Sequence, residues 1–266
     1  MAYNRYIRIY LQKVKISIMS RMVNPANFFV LLFGVVAQAY ISIYFLKVVY
    51  GYVENISGWS YEQALLVIAS FLFIEGLIWI TTAYLSGVRN NVRNGTLDTQ
   101  LIKPVDSQFL ISVWRIDPED VMRIVVAFII FLQAAGHFHY SFADWVVRTF
   151  FYAILIFDGY VIFYSIALMI NSLYCWFTEA GGMHMIFESV IRMSQYPTDI
   201  FNQSMVKYLF SSLVPIAFIG TIPAKAIAFG PRFDLMIYAN LLAFLLFIIS
   251  RRVWHAGLRA YSSASS

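Results

Sequence analysis

Few residues in this chain could do chemistry, and most of them lie where water is scarce. Glu75 sits inside an apolar run, with Trp79, Thr82 and Ser86 continuing its face at helical spacing. Asp158, followed by Gly159, sits inside another. A carboxylate amid hydrocarbon is costly, so each is either a functional group or a protonated, hydrogen-bonded structural one. Asp117-x-x-Asp120 has the spacing of a metal–diphosphate site, but no second acidic cluster accompanies it. Asp158-Gly159 likewise lacks the further aspartates of a phosphoalcohol transferase. His137 and His139 have no third ligand nearby for zinc. Cys175 is the only cysteine, which excludes an internal disulfide and a cysteine-cluster metal site. No GxxxxGKS or GxxxxGKT sequence occurs, so the chain has no Walker-type phosphate cradle. Catalysis, a bound metal and a bound cofactor are therefore not expected of it.

The elements that must position these residues are membrane spans. The chain is 61% hydrophobic and 12% charged, against about 25% charged in soluble domains. Its mean hydropathy is +0.70. Six runs reach the roughly 20 apolar residues that a spanning helix needs: about 26–49, 61–86, 120–138, 145–172, 203–222 and 235–255. The expected fold is an all-α integral membrane protein. It has one transmembrane domain over 25–256, an N-terminal segment 1–24 and a tail 257–266. The first apolar run is too long for a signal peptide's core and is expected to remain as a span. Residues 174–200 are also apolar but are interrupted by Glu179, Glu188 and Arg192. They read as an interfacial or partly inserted helix, with seven spans as the competing count.

Six spans put both termini on one side. Of the 19 lysines and arginines, only Lys47, Arg148, Lys225 and Arg232 then fall opposite. The positive-inside rule makes both termini cytoplasmic in the cell (inner) membrane. The net charge of +5 is thus spent on orientation, and no nucleic-acid partner is expected. Residues 3–20 form a basic amphipathic helix, with Tyr3, Ile7, Tyr10, Val14 and Ile18 on one face and Arg5, Arg8, Gln12 and Lys15 on another. Such a helix lies in the bilayer interface, as a topology anchor or as a brace for a partner subunit.

A polar island, Arg89 to Asp120, separates the second and third spans. Gly95 can stop the incoming helix, Thr96 is a good N-cap, and Asp98 suits a first helical turn. Leu97 and Leu101 are four apart, and Pro104 closes the element at Lys103. A helix under two turns long cannot stand alone and must pack on something. A second helical piece is expected over Ser107–Arg115. Asp117-Pro118-Glu119-Asp120 then starts the third span with a cap, a proline and first-turn acids. An interhelical loop with well-formed caps accounts for these signals equally well. Pro215 interrupts the fifth span and frees the carbonyl of Ser211, which Ser211 and Ser212 can re-satisfy.

The island also carries a resemblance. Gly95, Thr96, Leu97, Asp98, Leu101, Lys103 and Pro104 match the pattern Gly-Thr-Leu-Asp-x-x-Leu-x-(Arg/Lys)-Pro found in a small six-span branch of type-2 ATP-binding-cassette (ABC) exporter permeases. Tyr196-Pro197, Val214-Pro215-Ile216-Ala217-Phe218, Ile222-Pro223-Ala224 and the tail from Gly257 to Ala264 match as well. The chain resembles that family over 87–264. Membership would make 95–104 a short cytoplasmic coupling helix seated in a separate nucleotide-binding ATPase subunit, where ATP and magnesium are bound. It would also imply a second permease subunit, identical or homologous, and a substrate path between the two. In such exporters the second and fifth spans line that path, which makes Glu75, Trp79, Thr82, Ser211, Pro215 and Phe218 its candidates. Asp158 would lie nearer the periphery. The expected cargo is amphipathic or lipophilic, cationic molecules included. The competing function is a secondary transporter or channel without an ATPase, although no inverted repeat is visible between the halves.

Overall fold

The structure, a computed structural model, describes residues 2–177, 181–201 and 215–261. These residues are helical apart from turns and one isolated antiparallel bridge, Ile56 with Trp59. Helix α1 (Ala2–Val23) is followed at once by α2 (Pro25–Tyr50), with the Asn24 side chain capping the turn and Pro25 in the first helical position. Helix α3 (Tyr61–Thr82) opens on a capping box in which Ser60 and Gln63 each bond the other's backbone N–H. Beyond Thr82 it tightens into a 3₁₀ segment, Ala83–Gly87, and continues as α4 (Val88–Arg93).

The island holds α5 (Asp98–Leu101) and α6 (Ser107–Val113), and a 3₁₀ turn at Pro118–Asp120 leads into α7 (Val121–Ala135). Helices α8 (Phe142–Ser172), α9 (Gly181–Arg192), α10 (Thr221–Ala228) and α11 (Phe233–Ala260) complete the described elements. Among the described residues, four helical segments are long and apolar enough to cross a membrane: Pro25–Tyr50, Tyr61–Thr82, Phe142–Cys175 and Phe233–Ala260. They coincide with the first, second, fourth and sixth predicted spans. Helix α7 is shorter than the predicted 120–138, because Gly136 and His137 fold back in turns onto Leu132 and Ala134. Its 15 residues rise only about 22 Å. Most of the predicted span 203–222, Ser211 included, lies outside the described residues. Helix α9 has 12 residues and rises about 18 Å, well short of a roughly 30 Å hydrocarbon core.

Helix α3 is the hub. Every residue from Ala64 to Leu72 is buried, so it is enclosed by α7, α8, α10 and α2. Small residues let backbones close up, as is usual between helices in lipid. Ala239 and Ala243 on α11 face a core containing Phe151, Leu155 and Ile162 of α8. Gly159 of α8 is the tightest such place: a Cβ there would meet the Phe218 carbonyl oxygen at 2.5 Å and Ile74 Cδ1 at 2.6 Å. The glycine that follows the intramembrane acid Asp158 thus admits the 215–218 segment against α8. Alanine is the better helix former by about 1 kcal/mol, yet Gly159→Ala is expected to destabilise the protein by roughly 1–3 kcal/mol through overpacking. Denaturation of the purified protein in detergent measures this, and an unchanged or raised midpoint would contradict the close approach.

Candidate functional site

Where α3 breaks into its 3₁₀ segment, a small cavity of about 70 Å³ opens between α3, α8 and α9. Glu75, Trp79 and Thr82 line it from α3, as their shared helix face requires. Phe163 and Asn171 of α8 and Phe187 of α9 form the rest of its wall, with Glu188 and Arg192 at its edge. Asn171 donates from Nδ2 to the Ala167 carbonyl, while its buried Oδ1 has no partner among the described residues. The lining is thus largely aromatic and apolar, with Glu75, Thr82 and Asn171 as polar members and the Glu188 and Arg192 charges at the edge.

The Glu75 carboxylate is not free. Arg123 Nη1 donates to its Oε2 at 2.5 Å, and Arg123 Nε donates to Asp120 Oδ1 at 2.9 Å. Gln38 Oε1 of α2 accepts a third bond, at 3.3 Å. One guanidinium thus ties α2, α3 and the start of α7 together at the lip of the cavity. The pair is nearly dry, with side-chain exposures of 9% and 14% for Arg123 and Glu75. Of the other candidate path residues, Pro215 and Phe218 are buried elsewhere and do not line the cavity. Phe218 packs in the α8–α11 core, 5.7 Å from the Tyr238 ring. Asp158 is also buried away from it, with Oδ2 unpartnered among the described residues.

The island is braced from two sides. Along α1, Tyr6, Lys13, Ser17 and Arg21 form one helical stripe, and each touches the island. The Tyr6 ring meets Phe109 edge-on at 4.9 Å, and Ser17 Oγ accepts the Ile116 N–H at 3.3 Å. Arg21 Nη2 bridges Asp117 at 2.8 Å and Glu119 at 2.6 Å. The Lys13 and Lys103 ammoniums lie 3.5 and 3.9 Å from the centroid of the same indole, Trp114. Burial, and then the neighbouring Lys103 charge, lower the Lys13 pKa. From the other side, Arg251 of α11 donates to Asp106 at 2.7 Å and to Gln108 at 2.9 Å. Trp254 Nε1 donates to Ser107 Oγ at 3.1 Å. Asp106 also caps α6 by accepting the Phe109 N–H.

Three expectations change here. Thr96 does not cap the short helix, because its hydroxyl bonds the Asn91 side chain at 3.1 Å. Leu97 occupies the cap position instead, and α5 has only four residues. Leu97 is fully buried and Leu101 half-buried, so the outward apolar side chain is Ile102, 82% exposed beside exposed Lys103 and Pro104. Gly95 does stop α4, with φ +68. Asp98 keeps its first-turn place. Asp117 and Glu119 make ion pairs across the chain, and no side-chain cap bond starts the 118–120 turn. The sequence reading missed the ion-pair partners, Arg21 for these two acids and Arg123 for Glu75 and Asp120. The available signal was an arginine inside a predicted span at the level of an intramembrane acid.

Removing one member of a buried pair strands the other, at a cost of about 3–5 kcal/mol. Arg123→Gln is accordingly expected to destabilise the protein far more than Gln38→Ala, read as the denaturation midpoint in detergent, and equal effects would refute the bridging role. Asp106 gives a pH signature. Burial alone would raise its pKa, but bonds from Arg251 and the Phe109 N–H outweigh this and hold it below the usual value. The stability it contributes is then present above about pH 4, the ordinary aspartate range, and is lost as pH falls further. The Tm difference between the native protein and Asp106→Asn should stay constant from about pH 7 to 5 and shrink only below about pH 4. Shrinkage between pH 7 and 5 would contradict the assignment.

A family model described as ABC-2 family transporter protein matches residues 35–265. No curated protein and no solved structure matches the chain. The match takes in the cavity, Arg123 with both its acids, and the whole island. By that coverage the chain belongs to the ABC-2 transporter family, and it is a multi-pass membrane permease of an ABC transporter.

Proposed function

We propose that the chain exports an amphipathic or lipophilic molecule from the cytoplasm or inner leaflet, driven by ATP and magnesium bound on a separate ATPase subunit. In this reading it crosses the cell membrane six times with both termini in the cytoplasm. It works beside a second permease, identical or homologous. The 95–104 segment is the coupling element, and the cavity faced by Trp79, Thr82 and Glu75 is where cargo enters. Because Glu75 is neutralised by Arg123, apolar and aromatic contact with Trp79, Phe163 and Phe187 would dominate over cation attraction. Pro215 and Phe218, which pack away from the cavity, would in this reading support the path rather than line it.

The observation that carries this is the build of the island. One large apolar side chain, Ile102, projects beside Lys103 and Pro104, while Leu97 beneath it is locked in the core. The neighbouring α6 is tied to α8 by Tyr164 and to α11 by Arg251 and Trp254. An exposed knob on a fixed base is what a partner needs in order to push on membrane helices. Ile102→Asp is expected to weaken association with the ATPase subunit about tenfold or more, with membrane insertion and Tm unchanged. Leu97→Asp should instead lower Tm. Full co-purification and ATPase stimulation with Ile102→Asp would remove the coupling role, and ATP-independent transport driven by an ion gradient would remove the exporter reading.

A further inference from the structure

One face of α11 changes character along its length. Ile237, Leu241, Phe244 and Ile248 follow one another at helical spacing, with Leu241 63% and Phe244 66% exposed. The same stripe continues as Arg252, His255 and Arg259. From Phe233 to Arg252 the helix climbs about 28 Å at 1.5 Å per residue. The basic row therefore begins where a hydrocarbon core of about 30 Å ends. Arg251, Arg252, His255 and Arg259 line a groove walled on its membrane side by Phe247 and Ile248. Arg251 is engaged by Asp106, but Arg252, His255 and Arg259 carry no ion pair among the described residues.

We infer that this groove binds the headgroup of an anionic phospholipid, with its acyl chains along the apolar stripe above. Two exposed arginines and a histidine at headgroup level complement a phosphate that bears net negative charge, and basic clusters beside a span attract such lipids. The apolar part of the stripe has the reach of one acyl leaflet. A soluble anion would use the basic row and leave the apolar stripe without purpose. Arg251 borders the groove and holds Asp106 at the start of α6, so a lipid seated there lies one side chain from the island. The inference rests on the membrane placement of α11 and requires no ATPase.

The test uses the purified full-length chain in detergent, titrated with phosphatidylglycerol or phosphatidylcholine, and reads the shift in Tm and the lipid retained. Phosphatidylglycerol should stabilise and be retained, while phosphatidylcholine should do neither. The double change Arg252→Gln with Arg259→Gln should abolish the preference, each arginine contributing on the order of fivefold in apparent affinity. The corresponding lysine pair should keep most of it, and Arg232→Gln, at the opposite end of the helix, should leave it intact. If the double glutamine variant fails to fold, the two single variants carry the test, each with a partial loss. Equal response to both lipids, full retention by the glutamine variants, or equal stabilisation by inorganic phosphate would overturn the site. A chain that prefers phosphatidylglycerol yet ignores the ATPase would sink the coupling reading and leave this one standing.

Discussion

A guanidinium at the edge of a hydrocarbon slab must be neutralised, and Arg123 is neutralised twice, by Glu75 and by Asp120. In a medium that offers no water, each of the three charges is tolerable only because the others are present. The arrangement fixes α7 against α3 at one height, and these two helices make one of the largest contacts in the fold. Beyond Thr82, α3 leaves regular geometry. The Trp79 carbonyl there accepts the Asp117 N–H at 3.3 Å, so the loop that carries the acids also closes part of the helix break. The ion pairs, the helix break and the cavity lie side by side at this end of α3.

The island is held by ion pairs and hydrogen bonds both toward α1 and toward α8 and α11. On the α1 side they are ion pairs, a shared indole and an edge-on ring pair, spread over four helical turns. On the other side an ion pair between Arg251 and Asp106 joins hydrogen bonds among Gln108, Ser112, Tyr164, Arg251 and Trp254. Each contact is modest by itself, because charged groups at a surface gain little. Together they leave the 95–104 segment exposed at Thr96, Thr99, Ile102, Lys103 and Pro104, with Ile102 its one exposed large apolar side chain. Helix α1 therefore braces the chain's own loop.

Hydropathy and helix periodicity made the long helices legible, because a run such as Phe233 to Ile249 has only one comfortable solvent. The face shared by Glu75, Trp79 and Thr82 was legible for the same reason, since 3.6 residues per turn left it no choice. Cap signals were less dependable. Thr96 and Asp117 have the local features of N-caps, yet each found a better partner: Asn91 five residues back for one, Arg21 in another helix for the other. Propensity sees only neighbours in sequence, whereas the decisive pairings here join residues nearly a hundred positions apart. The length of α7 escaped for a related reason, because apolar Phe138 extends the hydropathy run past the turn made at Gly136.

The separation of Arg21 from Glu119, 98 positions, has a meaning in time. At about 5–20 residues per second, synthesis takes roughly 5–20 s to supply the second partner after the first. For that interval α1 has only the start of α2 beside it, since its docking stripe matches residues not yet made. What it does have is a second stripe, Ile7, Leu11, Ile18 and Met22, which stays exposed in the finished fold. Those side chains form an apolar face that a bilayer surface could cover before the island has been made.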